Sequence, residues 1–226
     1  GNGLVNFSVD EASLSAQAGV QNLGEIVAQG GRVVMAARTA HGLAQAAVNN
    51  SGRISASGVS EQGGDIYLVA EGGNVDSSGS LEASGGNGHD GGGVLIQSDA
   101  DINLASGSKI DITGKNGGVA RLIAKNALVT SAGSLIDGRA ANHDTGKGGF
   151  VELSGHGRIA LGGQTQLGKG GMLLLDPTNI CIAAYGGTCT GSFDSTVLES
   201  DIEAALNYGT DVAIIASENI LVSSGL

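Results

Sequence analysis

The chain has 226 residues, of which 41 are glycine and one is proline; there is no tryptophan and aromatics make up 3%. Hydrophobic residues, mostly Val, Ile, Leu and Ala, still reach 41%. That supply of core-forming side chains excludes a disordered low-complexity chain, and the glycines lack the every-third-residue spacing of collagen. The formal charge of −11 is unevenly placed: residues 1–169 hold 15 acids against 11 bases, whereas residues 170–226 hold seven acids and no Lys or Arg. Nucleic acid and anionic lipid both need clustered cations, so neither is an expected partner. No apolar run is long enough for a membrane-spanning helix, and no membrane insertion is expected. A regular β architecture with many tight turns remains.

In chain order, the opening GNGLVNFSV (1–9) reads as a strand, and the pattern behind it is a repeat. Six segments begin with two glycines and continue with alternating apolar positions: GGRVVMAA (30–37), GGDIYLVA (63–70), GGGVLIQS (91–98), GGVARLIA (117–124), GGFVELSG (148–155) and GGMLLLDP (170–177). Between them runs a second element, G-x-[I/L]-x-A, as GEIVA (24–28), GRISA (52–56) and GSLEA (79–83), with looser versions GSKIDI (107–112) and GSLID (133–137). Ile54 and Ala56 alternate with Arg53 and Ser55, as do Ile66, Leu68 and Ala70 with their neighbours. That is the two-residue period of a strand with one buried face. Glycine serves the crowded or positive-φ corners between such strands.

Successive double glycines are 33, 28, 26, 31 and 22 residues apart. This suits one coil of a parallel β-helix built from two or three short strands, with length variation confined to polar loops that project outward. A propeller blade needs about 40–45 residues per repeat, and a leucine-rich repeat needs a denser Leu/Asn consensus. Near-absence of proline agrees with interior coils that need N–H donors on both sides. Eight to ten such coils, at roughly 4.8 Å each, predict a rod on the order of 40–50 Å.

Past residue 177 the pattern breaks. TVLESDIEAALNY (196–208) is predicted to be a helix, with Ser200 and Glu203 as a capping box, Gly209 as its stop, and Val197 or Leu198, Ile202, Ala205 and Leu206 as its apolar stripe. Strands DVAIIA (211–216) and NILVSS (219–224) follow. The organisation expected is therefore regular coils over 1–177, an insertion over 178–209 and resumed strands over 210–226, all in one continuous domain. Both ends meet strand-like stretches, so the chain reads as a piece of something longer.

These residues resemble the exoproteins of bacterial two-partner secretion, the filamentous haemagglutinin and high-molecular-weight adhesin family. The likeness rests on GNGLVNFSV, the N-x-G-x-I-x-A strands followed by GG-x-V-x-L-x-A, GGMLLLDPTNI (170–180) and IEAALNYGTDVAII (202–215), and it covers essentially the whole chain. It implies a right-handed parallel β-helix exported to the Gram-negative cell surface through an outer-membrane barrel partner. It also implies work as an adhesin or biofilm-matrix component with a host or matrix glycan or protein as partner. A passive stalk for a haemolysin or contact-dependent inhibition toxin is the alternative within the family. The family's Asn-Pro-Asn-Gly secretion signature is absent, since Pro177 is the sole proline. That places these residues in the shaft, with barrel recognition elsewhere.

For an exported protein, Cys181 and Cys189 (in CIAAYGGTC) read as a disulfide across the Tyr185-Gly186-Gly187 turn, with two free thiols as the alternative. His89-Asp90 and His143-Asp144 occupy similar polar loops 54 residues apart, about two coils from each other, and read as exposed loop polars. His41 and His156 have no sequence partner. Asp99, Asp101 and Asp111 match no calcium-loop pattern and read as polar strand faces. No nucleophile-elbow, zinc-protease or Walker motif occurs, so no enzyme, no cofactor and no metal are expected; a polysaccharide-degrading β-helix is the distant alternative. The insertion over 178–209 is expected either to cover the core or to form a receptor-facing knob.

Overall fold

The computed structural model describes residues 3–10, 18–38, 46–58, 62–86, 88–184, 187, 189 and 191–223. The chain forms long parallel sheets and one helix. Its first rungs comprise β1 (Leu4–Asp10), β2 (Ala18–Asn22), β3 (Glu25–Val27), β4 (Arg32–Arg38), β5 (Ala46–Asn50), β6 (Arg53–Ser55), β7 (Asp65–Glu71), β8 (Asn74–Ser77) and β9 (Ser80–Glu82). The middle rungs are β10 (Gly93–Ser98), β11 (Ile102–Leu104), β12 (Lys109–Asp111), β13 (Val119–Ala124), β14 (Ala127–Thr130), β15 (Leu135–Asp137), β16 (Phe150–Gly155), β17 (Arg158–Leu161) and β18 (Gln164–Gln166). Then come β19 (Gly171–Pro177), β20 (Asn179–Ala183), β21 (Ser195–Leu198), α1 (Glu199–Asn207), β22 (Thr210–Ile214) and β23 (Asn219–Val222).

Every third strand joins the same sheet. Sheet A has eight strands in the order β1-β4-β7-β10-β13-β16-β19-β22, sheet B runs from β2 to β17 and sheet C from β3 to β18, with six strands each. All pairings are parallel, an architecture compatible with a parallel β-helix. The double-glycine strands are sheet A and the G-x-[I/L]-x-A strands are sheet C. Sheet B had no separate pattern in the sequence reading, because its three- to five-residue strands carry only one or two inward side chains. Eight stacked rungs in sheet A, at the low end of the eight to ten expected, span about 34 Å from first strand to last.

Register turns the repeat into core columns. Val33, Ile66, Val94, Ala120, Val151 and Leu173 stack in one sheet A column, and Met35, Leu68, Ile96, Leu122, Leu153 and Leu175 in the next; all are buried. Ile54, Leu81, Ile110 and Ile136 do the same in sheet C, and Val48, Val75, Ile102, Leu128 and Ile159 in sheet B. Complete burial of each aliphatic side chain contributes roughly 1.5–3 kcal/mol. Where sheet B turns toward sheet C, the column is polar instead: Asn22 Nδ2 donates to Asn50 Oδ1 at 2.8 Å, and Asn50 Nδ2 to Ser77 Oγ at 3.5 Å.

The double glycines answer to crowding. A Cβ on Gly64 would lie 1.9 Å from the carbonyl oxygen of Gly31, and one on Gly92 2.0 Å from that of Gly64. At this corner the second glycine of each rung rests on the backbone of the rung before it. Positive φ falls on the first glycine of two of these pairs, Gly30 and Gly170 (φ 61° and 72°), and at other corners such as Gly107 and Gly133 (φ 83° and 85°).

After β19 the chain leaves this pattern. β20 pairs in parallel with both β21 and β23, and β21 packs against β17, whose Ile159 N–H donates to the buried Ser195 Oγ at 2.9 Å. The order in space is therefore β17, β21, β20, β23: the later strand β21 is set back between two earlier ones. Eleven residues (184–194) make the return, about the length a parallel crossover needs. Asn179 holds its far end by accepting from Asp194 N–H at 2.7 Å and donating to Asp194 Oδ2 at 3.0 Å.

The helix α1 packs beside β18, where the next sheet C strand would stack. It is shorter than predicted. Thr196 and Val197 belong to β21, and the capping contact is Leu198 N–H donating to Asp201 Oδ2 at 3.3 Å in place of the predicted Ser200–Glu203 box. Of the predicted stripe, Ala205 is buried and Ile202 packs partly buried against the core, Val197 is buried as part of β21, and Leu206 is half exposed. Gly209 ends the helix at φ 73°.

Candidate functional site

An open groove of about 890 Å³ marks the described surface. It lies at the corner that follows sheet C. Its floor is built by residues two positions beyond an equivalent place in each rung: Ser84, Thr113, Arg139 and Gly168 follow Glu82, Asp111, Asp137 and Gln166. These three acids and one glutamine stack in register on the outer face of sheet C. One wall is the loop around His143 and Gly146; the other is the helix end Asn207–Gly209 with Lys169. The groove therefore crosses four rungs, about 14 Å at the interstrand spacing.

The floor is held rigidly. Thr113 Oγ1 donates to Asp111 Oδ1 at 2.7 Å, and Ser84 Oγ donates to Ser57 Oγ at 3.0 Å. Arg139 donates twice to Asp137, from Nε at 2.9 Å and Nη2 at 2.8 Å, leaving three guanidinium N–H bonds for other acceptors. The loop wall is fixed by Ala141 N–H to the Gly114 carbonyl at 2.7 Å and by Lys147 N–H to Asn116 Oδ1 at 2.9 Å.

The acid column beside the floor is neutralised rung by rung. Glu82 and Glu25 share Arg53, Asp111 takes Lys109 at 2.8 Å, and Asp137 takes Arg139. Burial alone would raise Asp111, but hydrogen bonds from Lys109 and Thr113 outweigh it and hold the carboxyl below the usual range. A carboxyl so held is a poor general acid, which needs the opposite shift.

The sequence candidates fall as follows. Cys181 and Cys189 form a disulfide, with Cα atoms 6.2 Å apart. Cys181 lies inside β20, so the bridge ties a strand to its return loop; of the intervening Tyr-Gly-Gly, Tyr185 and Gly186 lie outside the described residues. His143 and Asp144 pair with each other at 2.7 Å in the groove wall, while His89 and Asp90 sit two rungs away, linked through Asn116, which donates to Asp90 Oδ1 at 2.8 Å. Asp99 and Asp101 stand at the corner between sheets A and B, away from Asp111, and Asp101 Oδ1 accepts from Ala127 N–H at 3.1 Å. Among the described residues no group of three His, Cys, Asp or Glu could hold a metal ion. The His156 carbonyl accepts from Thr178 Oγ1, and His41 lies outside the described residues.

Sequence reasoning missed Arg139, Lys169 and Tyr208. The first two sit at fixed offsets from the strand motifs, Arg139 two residues after sheet C and Lys169 just before the double glycine, places that can be aligned only once the rungs are in register. Tyr208 reaches the groove through the helix.

Comparison with protein-family models, with curated proteins and with solved structures finds no match to this chain.

Proposed function

We propose that this chain is a shaft segment of a bacterial surface adhesin or biofilm-matrix protein of the two-partner secretion type, folded as a right-handed parallel β-helix and working by display rather than catalysis. The observation that carries the reading is the in-register stacking of rungs through three parallel sheets. Each rung contacts only its neighbours, so the array extends without changing its cross-section, a property suited to reaching away from a cell. The right hand follows from the strong preference for right-handed crossovers between parallel strands of one sheet. A paired acid column and an open, polar groove suit binding more than bond cleavage.

The test has two arms. In the source bacterium, the protein is expected at the cell surface or in the medium only while its outer-membrane barrel partner is present; unchanged export without any such barrel overturns the family reading. Beads coated with the chain are expected to attach to host cells or biofilm matrix above albumin-coated beads, with soluble chain as competitor. Equal attachment overturns the adhesin reading and leaves the stalk.

A further inference from the structure

Of the eleven Lys and Arg residues, six have a carboxylate partner: Arg32 with Asp65, Arg38 with Glu71, Arg53 with Glu25 and Glu82, Lys109 with Asp111, Arg121 with Glu152 and Arg139 with Asp137. Five have no carboxylate within salt-bridge reach among the described residues: Lys115, Lys125, Lys147, Arg158 and Lys169. Three of these five occupy one corner. Lys147 and Lys169 are equivalents in successive rungs, since Gly148 N–H donates to the Lys169 carbonyl at 2.9 Å just as Gly117 N–H donates to that of Lys147 at 2.8 Å. Lys115 precedes Asn116, which holds the same place one rung earlier. The three lysines are exposed and stand in three consecutive rungs beside the groove, with Lys169 in its lining.

Stacked like charges in neighbouring strands repel, and a chain with twice as many acids as bases pairs six of its eight other cations. We infer that the strip Lys115–Lys147–Lys169, with the adjoining groove, is a binding site for an acidic polysaccharide carrying one carboxylate per sugar. The lysines meet carboxylates spaced along the polymer. Tyr208, 41% exposed at the groove edge, offers a ring face to a sugar, and Thr113, Ser84, Asn207 and the spare Arg139 N–H bonds meet hydroxyls. A peptide is a poorer fit. Of the sheet C strands under the groove, β9, β12 and β15 are paired on both sides and the edge strand β18 has α1 packed beside it, which leaves an extended segment no free edge to join as a strand. Nucleic acid is disfavoured because three lysines in a row are fewer than the broad cluster of cations a phosphate backbone needs.

The inference rests on the reading of the chain as a display surface, and its test is kept separate from attachment. The 226-residue chain is titrated with trigalacturonate, with the methyl ester of the same trimer, and with a short DNA duplex. Trigalacturonate is expected to bind, the ester about tenfold more weakly or worse, and added salt to weaken the acid form. Lys147→Ala with Lys169→Ala is expected to cost about tenfold and Tyr208→Ala about fivefold, with Lys125→Ala, at the opposite corner, unchanged and all variants melting with the wild type. Equal binding of acid and ester, wild-type affinity in the double lysine variant, tighter binding of DNA, or no binding of trigalacturonate each overturns the inference. Bead attachment that persists in the double variant after trigalacturonate binding is lost supports the groove as a saccharide site and leaves the adhesin reading to other surfaces.

Discussion

The rungs from β4 to β19 and the segment from β20 to β22 hold themselves together in different ways. In the first region every contact repeats: glycine over glycine at the corner, aliphatic over aliphatic in the core, cation beside carboxylate on the outer face. In the second only β22, stacked on β19, continues a column of the rungs, and no other contact repeats. One disulfide, one transposed strand, the Asn179–Asp194 clasp and a half-capped helix take over where sheets B and C stop. A repeating region spreads its specification over many equivalent sites, yet it makes each corner glycine indispensable, because the next rung rests on it. The departure concentrates its specification in a few covalent and polar ties that can be cut singly.

The largest expected effect is at a glycine corner. Gly92→Val places a side chain against the Gly64 carbonyl and is expected to abolish cooperative thermal unfolding, a loss above about 4 kcal/mol. Gly88→Ala, a glycine with open space around it, changes stability by less than about 0.5 kcal/mol. Equal melting of the two would break the account of crowded corners. Next, Leu122→Ala in the mid-sheet column is expected to cost about 3 kcal/mol in denaturant unfolding, whereas the half-exposed Leu206→Ala costs under about 0.5 kcal/mol.

Replacing Cys181 and Cys189 by serine is expected to cost about 2–3 kcal/mol on the chain-entropy model. The loss should be confined to the departure: amide exchange should quicken in β21 and α1 while β7 to β13 keep their protection. Uniform loss of protection would mean that the two regions unfold as one.

The smallest effect is a difference in pH response. Burial holds the Asp201 carboxyl above its usual range despite the Leu198 N–H, so its ionisation opposes folding and the helix region gains stability as pH falls through that raised value. Asp111 is held below the usual range; it stabilises the rungs above its unfolded value and that contribution is lost as pH falls through the lower, folded one. Each change is under about 1 kcal/mol after solvent screening. Amide exchange between pH 6 and pH 3 should show α1 strengthened first and sheet C weakened later, and Asp201→Asn should remove the first change only.

Much of the fold was legible because its signals are local. The double glycines and the G-x-[I/L]-x-A segments mark sheets A and C with a period that survives loops of different length. Sheet B was illegible, since strands such as Ile102–Leu104 carry too few inward residues to show an alternation. The helix was legible in kind but began three residues late, because Ser195 to Leu198 gain more as a strand between β17 and β20 than as a first helical turn. The groove was not legible at all. Arg139, Lys169 and Tyr208 are 30 and 39 residues apart along the chain and meet only when the rungs stack and α1 folds back against the end of sheet C.

The amino-acid sequence by itself determined that this protein is built of glycine-punctuated parallel rungs with an aliphatic interior, since strand period, turn residue and core composition are properties of short stretches. The tertiary structure decided what could not be local. It set the register that brings Lys115, Lys147 and Lys169 together with no salt-bridge partner among the described residues. It set β21 back between β17 and β20, and it placed the disulfide across that return. Register and strand order depend on which backbone groups meet across rungs some 22 to 33 residues apart, and no short segment encodes that meeting alone.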